Sequence, residues 1–272
     1  MFYLMGMSHI MPVLRASNGA LEKDYGIFAN AIHDRPPYFF DWETEPGALP
    51  GPVKVASIYI AHASPYWGSM LAVEDEQSVL HFCPGFRDLL QTIPIGEDPT
   101  TLFVFMKGEE FIHISRNADL PPHDFYLPER PDLEIKRGRQ VIPLSVVQRQ
   151  MAISVGPAIA AFKVIRVFCP TLRVVNVLCP PPVDGEHLDL VFPESGGGRC
   201  DEDLRLKQYS LYASLLEKSV SALGITTLFP PVGSLTPKGL LAGEYTGDPV
   251  HGNAKYGSLV LAQMREYLGS LS

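Results

Sequence analysis

The chain lacks most of the features that mark a special environment. Four of its 272 residues are cysteine (Cys83, Cys169, Cys179 and Cys200), scattered without CxxC spacing. That count excludes a disulfide-dense scaffold and a zinc ribbon, and it predicts reduced, mostly buried thiols. Lysine and arginine total 22 against 30 acidic residues, giving a net charge of −8 and a pI near 5.5. Without a basic cluster carrying interleaved aromatics, nucleic acid and anionic surfaces have no electrostatic footprint. No eighteen consecutive residues are all apolar, so no membrane span is expected. The opening "MFYLMGMSH" lacks the basic stretch and the length of a signal peptide, so the expected location is cytoplasmic. Six of the eight histidines (His33, His62, His81, His113, His123 and His187) show no HxxxH or HxH spacing, so no metal is expected. "ESGGGRC" (194–200) has three glycines but no following Lys-Ser/Thr, so it reads as a surface loop, and no cofactor is expected. No internal repeat is apparent.

What the chain does have is apolar residues, at 46%, enough for a substantial core in one domain spanning 1–272. Short apolar runs alternate with helical patterns, which predicts a parallel α/β sheet covered on both faces. The expected strands are Phe2 to Met7, Val53 to His62, Thr101 to Met106, Leu172 to Leu178 and Ile225 to Phe229. Helices are expected over His9 to Lys23, Phe86 to Thr92, Leu144 to Val167 with a break at Gly156-Pro157, and Asp203 to Leu223. A last helix follows His251, with Gly257, Leu261, Met264 and Leu268 on one face. The proline-rich stretch at about 113–143 predicts a long ordered excursion, of the kind that walls a site beyond the carboxyl ends of strands.

Two segments carry chemistry. "GDPVHGNAKYG" (247–257) places Asp248 three residues before His251, either as a capped polar loop or as the acid and base of a hydrolytic triad. Ser8 in "MGMSH" falls where the first strand should meet the first helix, so it is either an N-cap or a nucleophile beside helix-start N–H groups.

As a pair, the two segments resemble the first and last blocks of the SGNH hydrolases, the superfamily that includes the GDSL esterases and lipases. "MGMSH" is close to the GNSH variant of its glycan-biosynthesis-associated branch, and "LPERPDLEIKRGRQVIP" and "VLCPPPVDGEH" also look like segments of that branch. The resemblance implies a three-layer α/β/α sandwich, flavodoxin-like, with a five-stranded parallel sheet of order 2-1-3-4-5. It implies a triad of Ser8, His251 and Asp248, and a second-block glycine that is either Gly68 or Gly85. The third block departs from the family: Gly108-Glu109 stands where Gly-Asn is usual, and an ionised carboxylate cannot donate to an oxyanion. His9 and Asn253 are candidate substrate contacts, and Tyr256 is either pocket rim or core. Two functions follow: a serine esterase or O-acyltransferase, acetyl expected, acting on a carbohydrate or small ester; or a catalytically weakened relative that binds a glycan or a protein, the reading Glu109 favours.

Overall fold

The computed structural model of the chain describes residues 1–19, 38–58, 71–94, 100–106, 123–185, 202–248 and 250–271. In chain order the strands are β1 (Phe2–Gly6), β2 (Phe40–Trp42), β3 (Val53–Ser57), β4 (Ala72–Glu74), β5 (Leu80–Phe82), β6 (Thr101–Phe105), β7 (His123–Asp124), β8 (Gln140–Val141), β9 (Arg173–Val177) and β10 (Thr226–Leu228). The α-helices are α1 (Met11–Ser17), α2 (Pro84–Gln91), α3 (Leu144–Phe168), α4 (Glu202–Ser221) and α5 (Ala254–Gly269).

Six strands form the central sheet, in the order β10-β9-β6-β1-β3-β2. Five of them are parallel, and β1 lies between β3 and β6. The sheet therefore differs from the five-stranded one expected: β2 adds an antiparallel edge beside β3. The parallel strands alone run β3-β1-β6-β9-β10. Their residues are buried on both faces, which is why their sequences are nearly unbroken apolar runs. Leu4, Val55, Phe103 and Val175 face one apolar cluster with Met11, Leu14, Leu261 and Met264 of α1 and α5. Tyr3, Met5, Leu102 and Val174 face the other, with Phe86, Phe162, Ile165 and Leu216 of α2, α3 and α4. The result is three layers, helix, sheet and helix.

Local departures from the expected elements have physical causes. A 3-10 turn over Ser8–Ile10 precedes α1, which ends at Ser17, short of the expected Lys23, before Gly19 in a left-handed conformation (φ 68°). Strand β3 ends at Ser57, and residues 59–62 of its expected span lie outside the described residues. Helix α3 runs without a break through Pro157. Proline deprives the carbonyl four residues back of its partner, and that residue, Ile153, is 65% exposed, so water can take the bond. The flanking Val155, Ala158, Ala161 and Phe162 are buried and hold the helix in place. Although no apolar run spans it, α3 is the one described helix long and apolar enough to cross a membrane by length and composition. Here its inner face packs in the core.

Part of the proline-rich excursion, residues 123–143, is tied down from within. Lys207 of α4 is fully buried and donates to Asp124 Oδ1 (2.9 Å) and the Glu134 carbonyl (2.9 Å). Asp124 also accepts from the N–H groups of Phe125 (2.7 Å) and Lys136 (3.1 Å), so both charges keep a full set of partners out of water. The 194–200 glycine loop lies outside the described residues.

The backbones of α1 and α5 meet directly at Gly257. A Cβ added at Gly257 would lie 2.0 Å from the Pro12 carbonyl oxygen and 2.8 Å from the Val13 nitrogen, both backbone atoms that cannot turn aside. Gly257→Ala is expected to cost about 1–3 kcal/mol by overpacking, although alanine would otherwise gain roughly 1 kcal/mol in a helix interior. Urea unfolding of the variant measures the difference. An unchanged or raised midpoint would mean that the helices are not in backbone contact there.

Candidate active site

Ser8 lies just beyond the carboxyl end of β1, in the middle of the sheet. Gly6 makes this exit possible, since a Cβ there would sit 2.7 Å from Phe105 Cβ and 2.9 Å from its carbonyl oxygen. The backbone then passes through Met7, whose N–H bonds the Phe105 carbonyl (3.2 Å), into the 3-10 turn. Met7 caps that turn and Ile10 caps α1, so Ser8 occupies neither cap position. The helix-start N–H groups expected beside it are those of a single 3-10 turn. Ser8 is 9% exposed.

The acid and base come from the loop before α5. Asp248 Oδ1 accepts the N–H groups of Val250 (2.8 Å) and His251 (2.9 Å), leaving Oδ2 to meet His251 Nδ1 at 2.6 Å. The loop closes on itself through Gly247 N–H to the His251 carbonyl (2.8 Å) and a bridge between Thr246 and Gly252. Burial alone would raise the Asp248 pKa. The bond from His251, its charge and the two N–H groups outweigh that and hold it below the usual carboxylate value. Asp248 holds Nδ1, so Nε2 is the nitrogen that a triad would turn to Ser8; in this structure Nε2 is shielded from solvent and makes no hydrogen bond to Ser8 Oγ.

Asn253, expected as a substrate contact, is engaged elsewhere. Its Oδ1 accepts from Tyr256 N–H (3.1 Å) as the N-cap of α5, and its Nδ2 donates to the carbonyls of Glu244 (2.8 Å) and Thr246 (3.2 Å). The asparagine builds the loop, as N-cap chemistry predicts. Tyr256 is core: it is buried against Gly252, and burial pushes its hydroxyl pKa well up.

His9 stands between the two halves. Its ring centroid is 4.7 Å from that of His251, with planes inclined at 45°. It is 6% exposed, and neither ring nitrogen has a hydrogen-bond partner. Burial, then the charge of His251, push its pKa down to about 3 against the opposing pull of Asp248. The adjacency of the Ser8-His9 turn to His251 is therefore direct, and nothing in the spacing of the sequence announced the ring contact.

Of the remaining candidates, Gly68, Gly108 and Glu109 lie outside the described residues. Gly85 lies in the first turn of α2, in the helical layer opposite α1 and α5. Among the described residues, no three histidine, cysteine, aspartate or glutamate side chains are grouped to hold a metal ion.

No protein-family model matches the chain, and no curated protein matches it. Several solved structures are loosely similar. A candidate platelet activating factor from Streptococcus pneumonia is 15% identical over 67% of this chain and 89% of its own, with a TM-score of 0.35. A candidate arylesterase from Agrobacterium tumefaciens str. C58 is 13% identical over 100% of both chains, at 0.38. A carbohydrate esterase family 3 protein from Talaromyces cellulolyticus is 11% identical over 99% of this chain and 96% of its own, at 0.34. At such TM-scores the likeness carries no argument, and the chemistry rests on the site's own geometry.

That geometry sets a pH dependence. Folded His9 stays neutral down to about pH 3, whereas the unfolded imidazole takes a proton near 6.5, so across that window the unfolded chain binds more protons. Its contribution to stability is full above 6.5 and lost as pH falls. Asp248, held below 3.8, adds a loss of the same sign at the acid end. Urea midpoints at pH 7 and pH 5 should show a drop of about 2 kcal/mol from His9, and His9→Phe should flatten it. Equal slopes in variant and wild type would mean that His9 is not a neutral buried group.

Proposed function

We propose that the protein is a serine-dependent ester hydrolase or O-acyltransferase whose triad is Ser8, His251 and Asp248. The observation that carries this reading is the 2.6 Å Asp248–His251 pair, set against the turn that holds Ser8. Ser8 Oγ attacks the ester carbonyl as His251 Nε2 takes its proton. Asp248 keeps the Nδ1–H tautomer and stabilises the imidazolium. The proton then passes to the leaving alcohol oxygen as its bond to the acyl carbon breaks, leaving an acyl group on Ser8. Water, or an acceptor hydroxyl, completes the cycle by the reverse sequence. Backbone N–H groups of Ser8 and of the second-block glycine, Gly68 or Gly85, receive the oxyanion in this scheme.

The substrate class favoured is a carbohydrate-linked or other small polar ester, acetyl above all. Two things support it: the resemblance of the first and last blocks to the glycan-associated SGNH branch, and the excursion clamped by Lys207. A fixed wall positions a polar alcohol better than it admits a long acyl chain.

A fluorophosphonate probe is expected to label wild type and to fail on Ser8→Ala. With acetyl esters, Ser8→Ala should lose on the order of 10⁴- to 10⁶-fold in kcat, and Asp248→Asn about 10⁴-fold through the wrong tautomer. A folded wild type that is neither labelled nor active would overturn the esterase and favour the glycan- or protein-binding module. Rates on p-nitrophenyl acetate, butyrate and octanoate should fall with chain length; a rise would move the substrate class to lipid esters.

A further inference from the structure

A neutral imidazole buried with both nitrogens unbonded is costly, because each forfeits the hydrogen bond it makes in water. His9 is such a group, 6% exposed and in ring contact with His251. In the scheme above, His251 Nε2 must deliver its proton to the leaving oxygen, so that oxygen comes to rest at the His251 ring. Whatever flanks that ring meets the rest of the leaving alcohol. Among the described residues, His9 flanks that ring, with centroids 4.7 Å apart.

We propose that His9 is a specificity residue that hydrogen-bonds a second hydroxyl of the leaving or accepting alcohol, on the carbon next to the ester oxygen, and so selects esters of polyols and sugars. The inference rests on the triad reading and adds the alcohol side of the substrate to it.

The chemistry of the ring fits that ligand. A neutral imidazole offers one N–H donor and one bare nitrogen acceptor, and a hydroxyl is likewise both donor and acceptor. A carboxylate, which only accepts, could pair only with the N–H, and an ammonium, which only donates, only with the bare nitrogen, whereas a hydroxyl suits whichever of the two faces it. Burial keeps His9 neutral throughout the working range of an esterase, so the match holds at every such pH. Both nitrogens of His9 and Nε2 of His251 are shielded from solvent, and the two rings are in contact, so an alcohol seated at Nε2 lies beside the His9 ring. The bond to a substrate hydroxyl would replace interactions the free protein lacks, which is how a buried polar group discriminates between substrates.

The test compares two uncharged acetyl esters, glycerol monoacetate and ethyl acetate, which share the acyl group and differ in a neighbouring hydroxyl. The readout is the ratio of their kcat/KM values in a pH-stat, divided by the same ratio for hydroxide-catalysed hydrolysis. Wild type should prefer the glycerol ester by roughly tenfold. His9→Phe keeps a ring against His251 but removes donor and acceptor, and its ratio should fall to near one; His9→Gln should keep part of the preference. A wild-type ratio near one overturns the proposal without any variant, and so does a preference that persists in His9→Phe, whatever happens to the absolute rates. A wild type inactive on both esters overturns the triad reading itself, a result distinct from an active enzyme without preference.

Discussion

The contact between the backbones of α1 and α5 is the constraint on which the site depends. Ser8 and His9 enter from one end of the chain, and Asp248 and His251 from the other. No strand pairing joins those two segments. They are brought together because Gly257 lets α5 rest directly on Pro12 and Val13, with no side chain between. A larger residue there would not merely loosen a core; it would lift the acid–base loop away from the turn that bears the serine. The cluster of Met11, Leu14, Leu261 and Met264 supplies the apolar burial, and the glycine sets the distance at which it acts.

A second constraint works on the opposite layer. The Lys207–Asp124 pair is buried completely, and such pairs stabilise little relative to an apolar replacement, because desolvation cancels most of the attraction. What the pair adds is definition. Lysine satisfies a carboxylate and a main-chain carbonyl, and the carboxylate satisfies two main-chain N–H groups, so the loop has one arrangement in which every buried polar group is bonded. The first constraint draws the candidate groups together; the second gives the irregular chain a single shape.

The parts of the structure legible in the sequence were those written in local patterns. β1, β6 and β9 are buried on both faces and appear as apolar runs, and Asn253 followed by a periodic stretch marks the start of α5. β2 was missed because "FDW" is three residues long, too short for its apolar-polar-apolar alternation to mark a strand. It is held by tertiary bonds, Trp42 Nε1 to Ser17 Oγ (2.9 Å) and the Glu45 N–H to the Ser17 carbonyl (2.7 Å). Pro157 suggested a break that core packing on both sides of it prevents. In the site, the Asp248–His251 geometry follows from their spacing, and Ser8 from its place after β1. Two things were out of reach: the His9–His251 ring contact, which exists only once distant helices pack, and the full commitment of the Asn253 amide to its own loop.

The place of β1 in the sheet has a consequence for the birth of the protein. It leaves the ribosome before β3 and β6, the two strands that flank it, and so must wait for both before its backbone is paired. Until β3 and β6 are made, the nascent chain therefore carries an apolar strand with unpaired edges. The same order keeps the serine of the proposed triad silent: its base and acid are made well after it, so a chain that has not reached them holds a nucleophile that nothing activates.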